Sequence, residues 1–225
     1  MLKAMIFDFD GVITDSEILH LRSINEVLAK FGTSIAKDEY YKTFLGLTDL
    51  DVLKVLAEKK LLNHADIESI AEEKKHLFAK LAKSEGTIIP GVRDFLAMLK
   101  KNNVPMAICS GALLTEIEMI LDDSSLRSYF EDIVSSEQVK RGKPYPDGFL
   151  LTLKKLNKTR AAAPIQPNQC IVIEDSRWGL EAAKAAKMHT VAVTNSYPAS
   201  ELAMAEKIIP HLDQLTIEDL HSLCR

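Results

Sequence analysis

Ala4-Met5-Ile6-Phe7-Asp8-Phe9-Asp10-Gly11 is the stretch that decides the fold. Its first four residues are apolar without alternation or helical spacing, which predicts a strand buried on both faces of a parallel sheet. Asp8 and Asp10 follow at once, and ligands of such sheets bind beyond the carboxyl ends of the strands. Because two neighbouring carboxylates repel each other unless a cation or a proton separates them, we expect a metal or proton-transfer site here.

Two later apolar runs end in polar residues in the same way. Val104 to Cys109 leads into Ser110-Gly111, and Cys170 to Ile173 leads into Glu174-Asp175-Ser176. An isolated Asp-x-Asp is more often an exposed acidic loop. Three strands that deliver polar side chains to one edge of a sheet instead predict a shared site.

The composition favours a globular protein that acts on small molecules. The 225 residues are 47% apolar, and a net charge of −4 without long runs of one sign argues against nucleic acid as a partner. Three cysteines, at positions 109, 170 and 224, are too scattered for a zinc site or disulfide framework and indicate a reducing compartment. No apolar stretch approaches the ~18 residues of a membrane span, and the start lacks a secretory signal pattern. We therefore predict a cytoplasmic monomer with no membrane partner.

A helical segment follows the first strand. From about residue 16 to residue 86 only helical signals remain, beginning with an apolar stripe at Leu21, Ile24, Leu28 and Phe31. This interruption predicts two domains, a core of residues 1–15 and 87–225 and a cap of residues 16–86.

Three more helices are predicted within the cap. They cover Lys37 to Leu45, the stretch that follows a helix-capping residue at Thr48, and the stretch that follows Asn63 to Asp66. In the last of them Glu72 to Lys75 lie on the polar face. The polar segment Ser84 to Thr87 is predicted to connect this helix back to the core.

Strand and helix signals alternate through the rest of the chain. Strands are predicted up to Cys109, at Ile133-Val134, over Cys170 to Ile173 and over Thr190 to Val193, with helices from about Leu113 to Leu121, Asp147 to Leu156 and Trp178 to Lys187. Such alternation gives right-handed crossovers, so we predict an α/β fold with a doubly wound parallel sheet.

The paired aspartates suit phosphate transfer. An ionised Asp8 facing a phosphate ester can attack phosphorus and form an aspartyl-phosphate. Asp10 lies two residues on, and along a strand its side chain would return to the same side as that of Asp8. There it can protonate the leaving alkoxide and later accept a proton from water, a contribution of ~10²–10⁴-fold. Their mutual repulsion separates the two titrations, which these roles require.

The other polar residues complete such a site. Oxygen ligands from Asp8, Asp10 and Asp175 suit Mg²⁺, with Glu174 as a further ligand or a neighbouring partner. Ser110 offers a hydroxyl and a backbone N–H to a phosphate oxygen. Lys143 offers a fixed positive charge.

Four groups of residues together resemble the motifs of a known family. The set Asp8-Phe9-Asp10-Gly11-Val12, Ser110-Gly111, Lys143-Pro144 and Glu174-Asp175-Ser176 resembles the four motifs of the haloacid dehalogenase superfamily of phosphotransferases, over nearly the whole chain. Asp15-Ser16-Glu17 and Pro90-Gly91-Val92 look like those of the β-phosphoglucomutase and phosphoglycolate phosphatase group.

The resemblance implies a Rossmann-like core, a mobile four-helix cap and dependence on Mg²⁺. By motif position, Asp8 is the nucleophile and Asp10 the acid and base. Ser110, Gly111 and Lys143 hold the phosphate, and Asp175 binds the metal with Asp8 and the carbonyl of Asp10. The chain is thus predicted to be a Mg²⁺-dependent phosphatase acting on a small phosphorylated metabolite, such as a sugar phosphate or phosphoglycolate.

Other activities fit the sequence less well. A β-phosphoglucomutase-type mutase needs cations for a second phosphate, but Gly46 to Asp51 and Ser110 to Leu113 carry none. The first stretch instead carries two acids that are expected to repel a phosphate, although Arg22 or another cap residue can compensate. A receiver-like signalling domain has adjacent acids and a separate acceptor aspartate, whereas here Asp8 and Asp10 are separated by one residue. A dehalogenase needs neither a second aspartate nor Mg²⁺, so Asp10 argues against it. Cysteine-phosphatase and Walker patterns are absent from the sequence.

Substrate specificity is expected to come from the cap. His20, in the first cap helix, is a candidate substrate contact. The segment from Phe44 to Thr48 is the other candidate, because it belongs to the cap surface expected to face the substrate.

Overall fold

The computed structural model of the protein describes residues 1–44, 47–62, 67–85 and 88–224. The chain divides into two compact units. Met1–Asp15 and Ile88–Arg225 form the core unit, and Ser16–Thr87 form the helical unit. Each unit has its own buried apolar cluster.

The core unit is built on one parallel sheet. Its strands are β1 (Ala4–Phe7), β2 (Met106–Cys109), β3 (Asp132–Val134), β4 (Cys170–Glu174), β5 (His189–Val193) and β6 (Lys207–Ile209). They lie in the order β3-β2-β1-β4-β5-β6 and every neighbouring pair is parallel. This confirms the predicted α/β fold with a doubly wound parallel sheet.

The position of β1 in the sheet sets the position of the polar residues that follow the strands. Phe7 is paired with Ile108 of β2 on one side and with Ile173 of β4 on the other. All four residues of β1 are buried, as expected for a strand covered on both faces. The residues after β1, β2 and β4 therefore emerge side by side at one edge.

The helical unit contains α1 (Glu17–Leu28), α2 (Lys37–Glu39), α3 (Asp49–Glu58) and α4 (Ile67–Glu85). Thr48 caps α3 by accepting a hydrogen bond from the amide of Asp51 at 3.2 Å, as its sequence predicts. Leu21, Ile24 and Leu28 of the predicted stripe are buried in the core of this unit.

Several details of the predicted helical unit are wrong. Phe31 lies in a 3₁₀ turn after α1 and is 40% exposed, so it does not extend the stripe. The α-helix that begins at Lys37 ends at Glu39 and continues as a π-helical turn, Tyr40–Phe44, while Leu45 lies outside the described residues. Both departures follow from local helix geometry, which apolar spacing alone does not report.

The end and the polar face of α4 also differ from the prediction. Ser84 and Glu85 are helical rather than part of a connecting segment, because a helix rich in Glu, Lys and Ala tolerates a serine in its last turn. Residues 86 and 87 lie outside the described residues. Lys74, predicted on the polar face, is buried with 1% of its surface exposed, because polar groups within the helical unit bind its amine.

Five helices accompany the sheet in the described part of the core unit. They are α5 (Val92–Lys101), α6 (Leu114–Asp123), α7 (Asp147–Leu156), α8 (Arg177–Ala185) and α9 (Ile217–Leu223). The sequence missed β6, which is three residues long and begins with a lysine, so it carries little strand signal. Among the described helices, none combines the length and the apolar character needed to cross a membrane.

Candidate active site

Three buried carboxylates meet at the carboxyl edge of the sheet. Asp8 directly follows β1, Glu174 ends β4 and Asp175 comes next. One oxygen atom of each lies within 4.8 Å of the others. The strand pairing itself brings them together, since the amide of Asp8 donates to the carbonyl of Ile173 at 2.9 Å.

Lys143 places a positive charge inside this acidic cluster. Its Nζ donates to the carboxylate of Asp8 and to Oε1 of Glu174, the latter at 2.5 Å. Burial lowers the pKa of Lys143, but Asp8 and Glu174 raise it by more, so the net shift is upward and the ammonium stays charged. A fixed cation thus lies beside Asp8, as phosphate transfer requires.

The cluster still has more negative than positive charge. The pKa of Asp8 is raised to about 7, because burial and the charges of Glu174 and Asp10 raise it by more than Lys143 lowers it. Burial, Glu174 and Asp8 likewise raise the pKa of Asp175 well above its usual value. A further cation would relieve this repulsion, and all-oxygen donors are the ligands that Mg²⁺ prefers, so the residues present fit a magnesium site.

Glu174 already has a partner for each of its oxygens. Oε1 accepts from Lys143, and Oε2 accepts from the amides of Asp175 and Ser176 at 3.0 Å each and from the Ser176 hydroxyl at 2.9 Å. These bonds make it an anchor for Lys143 and for the turn that carries Asp175. Gly179 leaves room for the carboxylate of Glu174, since a Cβ at position 179 would lie 1.7 Å from Oε1 of Glu174.

Asp10 and Gly11 form the turn that follows β1. Strand alternation does not carry over to Asp10, because the strand ends before Asp8; Asp10 pairs instead through its backbone with Thr14 and is half-buried. Its charge nevertheless raises the pKa of Asp8, so the two carboxylates are close. Gly11 has a φ of +77°, and a Cβ there would lie 1.8 Å from Oδ2 of Asp175, so only glycine fits.

Ser110 and Gly111 directly follow β2, and Lys143 lies in the segment between β3 and α7. They line a small cavity of about 40 Å³. The hydroxyl of Ser110 accepts a hydrogen bond from the amide of Ala112 at 2.9 Å, which orients it in the turn. The next residue, Gly111, has open space around its missing side chain.

His20 lies in a buried polar cluster of the helical unit. Its ring stacks on Phe78 with centroids 4.1 Å apart, and Nδ1 lies 2.6 Å from Nζ of Lys74. Lys74 also pairs with Asp49 at 2.8 Å. Burial, followed by the charge of Lys74, holds the pKa of His20 well below its usual value, so its ring is neutral and accepts from the lysine.

The predicted specificity segment is only partly described. Phe44 is buried in the helical unit, and Leu45 and Gly46 lie outside the described residues. Leu47 is 45% exposed. The roles of this segment and of His20 in substrate recognition stay predictions.

Comparison with known proteins shows to which family the chain belongs. Residues 5–193 match the model of the haloacid dehalogenase-like hydrolases. The chain belongs to this family. The match covers all four groups of site residues, from Asp8 to Asp175, and it confirms the resemblance inferred from the motifs.

Relatives of this haloacid dehalogenase-like chain include phosphatases and a mutase. It is 31% identical over 194 residues to a phosphorylated carbohydrates phosphatase of Thermotoga maritima, covering 84% of each chain. It is 29% identical over 225 residues to hexitol phosphatase B of Escherichia coli, covering 97% of this chain and 96% of that one. The crystal structure of a β-phosphoglucomutase from Clostridium difficile is similar with a TM-score of 0.80 and 26% identity, covering 100% of this chain and 97% of that one. The named phosphatases support the predicted phosphomonoester hydrolase.

Ser196 belongs to the site although no sequence signal pointed to it. It lies in the loop after β5, and its side chain forms a hydrogen bond with the carboxylate of Asp175. Its Oγ would also lie 2.7 Å from a Cβ on Gly11, which places it against the same turn. A lone serine far along the chain from Asp175 carries no pattern that would reveal this contact.

Replacing Ser196 with alanine is expected to weaken Mg²⁺ binding by about tenfold, because groups that orient a metal ligand typically contribute 10–100-fold to affinity. Calorimetric titration of the folded variant with Mg²⁺ measures this directly. At saturating Mg²⁺, turnover should recover to near the wild-type rate. An unchanged Mg²⁺ affinity would contradict the proposed role of Asp175 as a ligand oriented by Ser196.

Proposed function

We propose that this protein is a Mg²⁺-dependent phosphatase that hydrolyses a small phosphorylated metabolite through a phosphorylated Asp8. The observation that carries the proposal is the carboxylate of Asp8, held at the end of the central strand between the ammonium of Lys143 and the carboxylates of Glu174 and Asp175. Phosphoryl transfer depends on just this combination of a positioned nucleophile and fixed charge.

Asp8 acts as the nucleophile in this proposal. Its pairing with Lys143 holds the carboxylate in one orientation and favours its ionised form. When the ester binds, Lys143 contacts a phosphate oxygen, and the hydroxyl of Ser110 and the backbone at Gly111 supply further donors. Attack on phosphorus then releases the alcohol and leaves phosphate on Asp8.

Asp8 and Asp175, with the backbone carbonyl of Asp10, would hold Mg²⁺. When bound, Mg²⁺ supplies positive charge against the oxygens of the transferring phosphoryl group. Glu174 is better explained as the anchor of Lys143 than as a ligand, because its oxygens are already occupied by donors from the protein.

Asp10 serves as the acid and then the base. It is half-buried in the turn beside Asp8, where a protonated carboxyl can donate to the leaving oxygen. The same group, now ionised, takes a proton from the water that attacks phosphorus and releases inorganic phosphate. Asp10 returns to its protonated form, so the cycle balances.

A sugar phosphate is the substrate class that the relatives favour, since two of them are named as phosphatases of phosphorylated carbohydrates and hexitols. The test is a phosphate-release assay over phosphorylated sugars, sugar alcohols and phosphoglycolate. We expect turnover that is lost after treatment with EDTA and restored by Mg²⁺. Full turnover in EDTA would overturn the metal-dependent part of the proposal.

A mutase is the second candidate, favoured by the structural similarity to a β-phosphoglucomutase. The expectation that the two acids after Gly46 repel a second phosphate needs correction. Asp51 is paired with Lys54 at 3.2 Å, and Asp49 is paired with the buried Lys74 at 2.8 Å. The amine of Lys74, however, is occupied by its contacts with Asp49 and His20. This supports a hydrolase, since Lys74 is not left unpaired for a second phosphate.

We therefore expect free phosphate rather than an isomerised sugar when the protein is given β-glucose 1-phosphate with a trace of the 1,6-bisphosphate. Glucose 6-phosphate and inorganic phosphate are followed in the same reaction. Dominant formation of glucose 6-phosphate would refute the hydrolase.

A further inference from the structure

The single tryptophan of the chain lies close to the candidate active site. Trp178 is in the first turn of α8, three residues after Asp175, and 45% of its surface is exposed. An indole is usually buried more deeply than this, because it offers a large apolar surface. Trp178 therefore adds little to the apolar core, and its role has to come from the contacts that it makes at the surface.

Trp178 packs against Tyr197, which belongs to the loop after β5. The two rings meet edge to face, with centroids 6.0 Å apart and planes inclined at 72°, an arrangement that aromatic pairs favour. The guanidinium carbon of Arg177 lies 5.8 Å from the centre of the indole. Tyr197 also packs on the buried apolar cluster of Leu180, Ala192 and Leu202. The aromatic pair thus joins the start of α8 to the loop after β5.

The same two segments meet a second time at Asp175, the proposed metal ligand. The side chain of Ser196 forms a hydrogen bond with the carboxylate of Asp175. Ser196 directly precedes Tyr197, and Asp175 lies three residues before Trp178. The polar contact at the metal site and the aromatic contact at the surface are therefore neighbours on both segments, so a movement at one contact is passed to the other.

Each of the two segments has a further attachment of its own. The hydroxyl of Ser176 accepts a hydrogen bond from the amide of Gly179 at 3.1 Å, which holds the start of α8. The amide of Thr194 donates to the carbonyl of Ile209 at 3.0 Å, which holds the start of the loop after β5. Ser196 therefore lies between this attachment and the aromatic pair. Because free backbone rotation would disperse a loop hydroxyl over many positions, Ser196 keeps its acceptor only where the chain is held on both sides of it.

We propose that Trp178 is a positioning residue of the metal site. Its packing against Tyr197 holds Ser196 within hydrogen-bonding distance of Asp175, and this orients the carboxylate of Asp175 for Mg²⁺. The inference rests on the proposed magnesium site and adds to it a residue that acts through two others. Because the indole is nearly half exposed, its removal should loosen the loop after β5 and weaken metal binding while the fold persists.

Calorimetric titration of the full chain with Mg²⁺ tests this inference. Trp178→Ala should weaken Mg²⁺ binding about 3- to 10-fold, the factor that corresponds to the loss of an aromatic pair, and should lower the thermal midpoint by only about 2–4 °C. Trp178→Phe keeps a ring against Tyr197 and should bind Mg²⁺ within about twofold of the wild type. Leu150→Ala, at a side chain of α7 with a matched exposure of 44%, should leave the affinity for Mg²⁺ unchanged.

A double variant separates the positioning role from general destabilisation. If Trp178 acts through Ser196, Trp178→Ala should not weaken Mg²⁺ binding further in the Ser196→Ala background, because residues of one network are not additive. An unchanged Mg²⁺ affinity of Trp178→Ala, an equal loss in both backgrounds, or a Trp178→Phe variant as weak as Trp178→Ala would overturn this inference and leave the phosphatase proposal standing. Failure of the wild type to bind Mg²⁺ would overturn both.

Discussion

Asp8→Asn should reduce the turnover of phosphate esters by about 10⁴- to 10⁶-fold, the loss seen when other enzymes lose a member of a nucleophilic machinery. Asparagine has the shape of aspartate but cannot form an acyl phosphate, and it is a poorer ligand for Mg²⁺. Steady-state phosphate release with a sugar phosphate and saturating Mg²⁺ measures the effect.

The Asp8→Asn variant should remain folded. Lys143 keeps its bond to Glu174 at 2.5 Å, and the change removes one of three crowded carboxylates. Thermal unfolding without Mg²⁺ should give a midpoint no lower than that of the wild type. Asp94→Asn, at an exposed carboxylate of α5, is the matched control and should keep full activity. Folded Asp8→Asn protein with undiminished turnover would rule out the nucleophile.

Gly179→Ala should disable the site without touching any residue that meets the substrate. The new Cβ would lie 1.7 Å from Oε1 of Glu174, which is fully buried, so the glutamate has to leave its position. Lys143 and the amides of Asp175 and Ser176 would then lose their common acceptor. Breaking a buried ion pair costs about 3–5 kcal/mol, and we expect a loss of that size in the free energy of unfolding.

The loss is measured by unfolding Gly179→Ala in denaturant and monitoring circular dichroism. Phosphate release under folding conditions should fall by at least about 100-fold, because Lys143 is no longer held. Gly142→Ala is the matched control, since a Cβ at Gly142 meets nothing within 4 Å. If Gly179→Ala were as stable as Gly142→Ala, Glu174 would have room to move and could not be the anchor proposed for Lys143.

The positions of the main site residues could be predicted because they follow from strand topology. Asp8, Ser110 and Asp175 each come after an apolar run, and the carboxyl ends of parallel strands share one edge. Lys143 lies in a loop, so the sequence offered it as a fixed positive charge without the strand topology that placed the other residues. Its contacts with Asp8 and Glu174 are a property of the folded chain.

Other features were beyond the reach of sequence patterns. Lys74 was expected to face solvent because it lies in a charged run of α4, yet it is buried against His20 and Asp49, partners more than twenty residues away in the sequence. Ser196 contacts Asp175 across a similar separation. Such pairings depend on which elements pack together, whereas hydrophobic periodicity reports only which face of one element is buried.

Asp10→Asn given ³²P-labelled 4-nitrophenyl phosphate tests the central claim most directly. Nitrophenolate departs without protonation, so attack by Asp8 still proceeds, while the water step loses its base and the phosphorylated enzyme accumulates. We predict a burst of about one equivalent of nitrophenolate and label that is released by hydroxylamine and maps to the peptide containing Asp8. Turnover with neither a burst nor label on Asp8, or label on a different residue, would contradict the account.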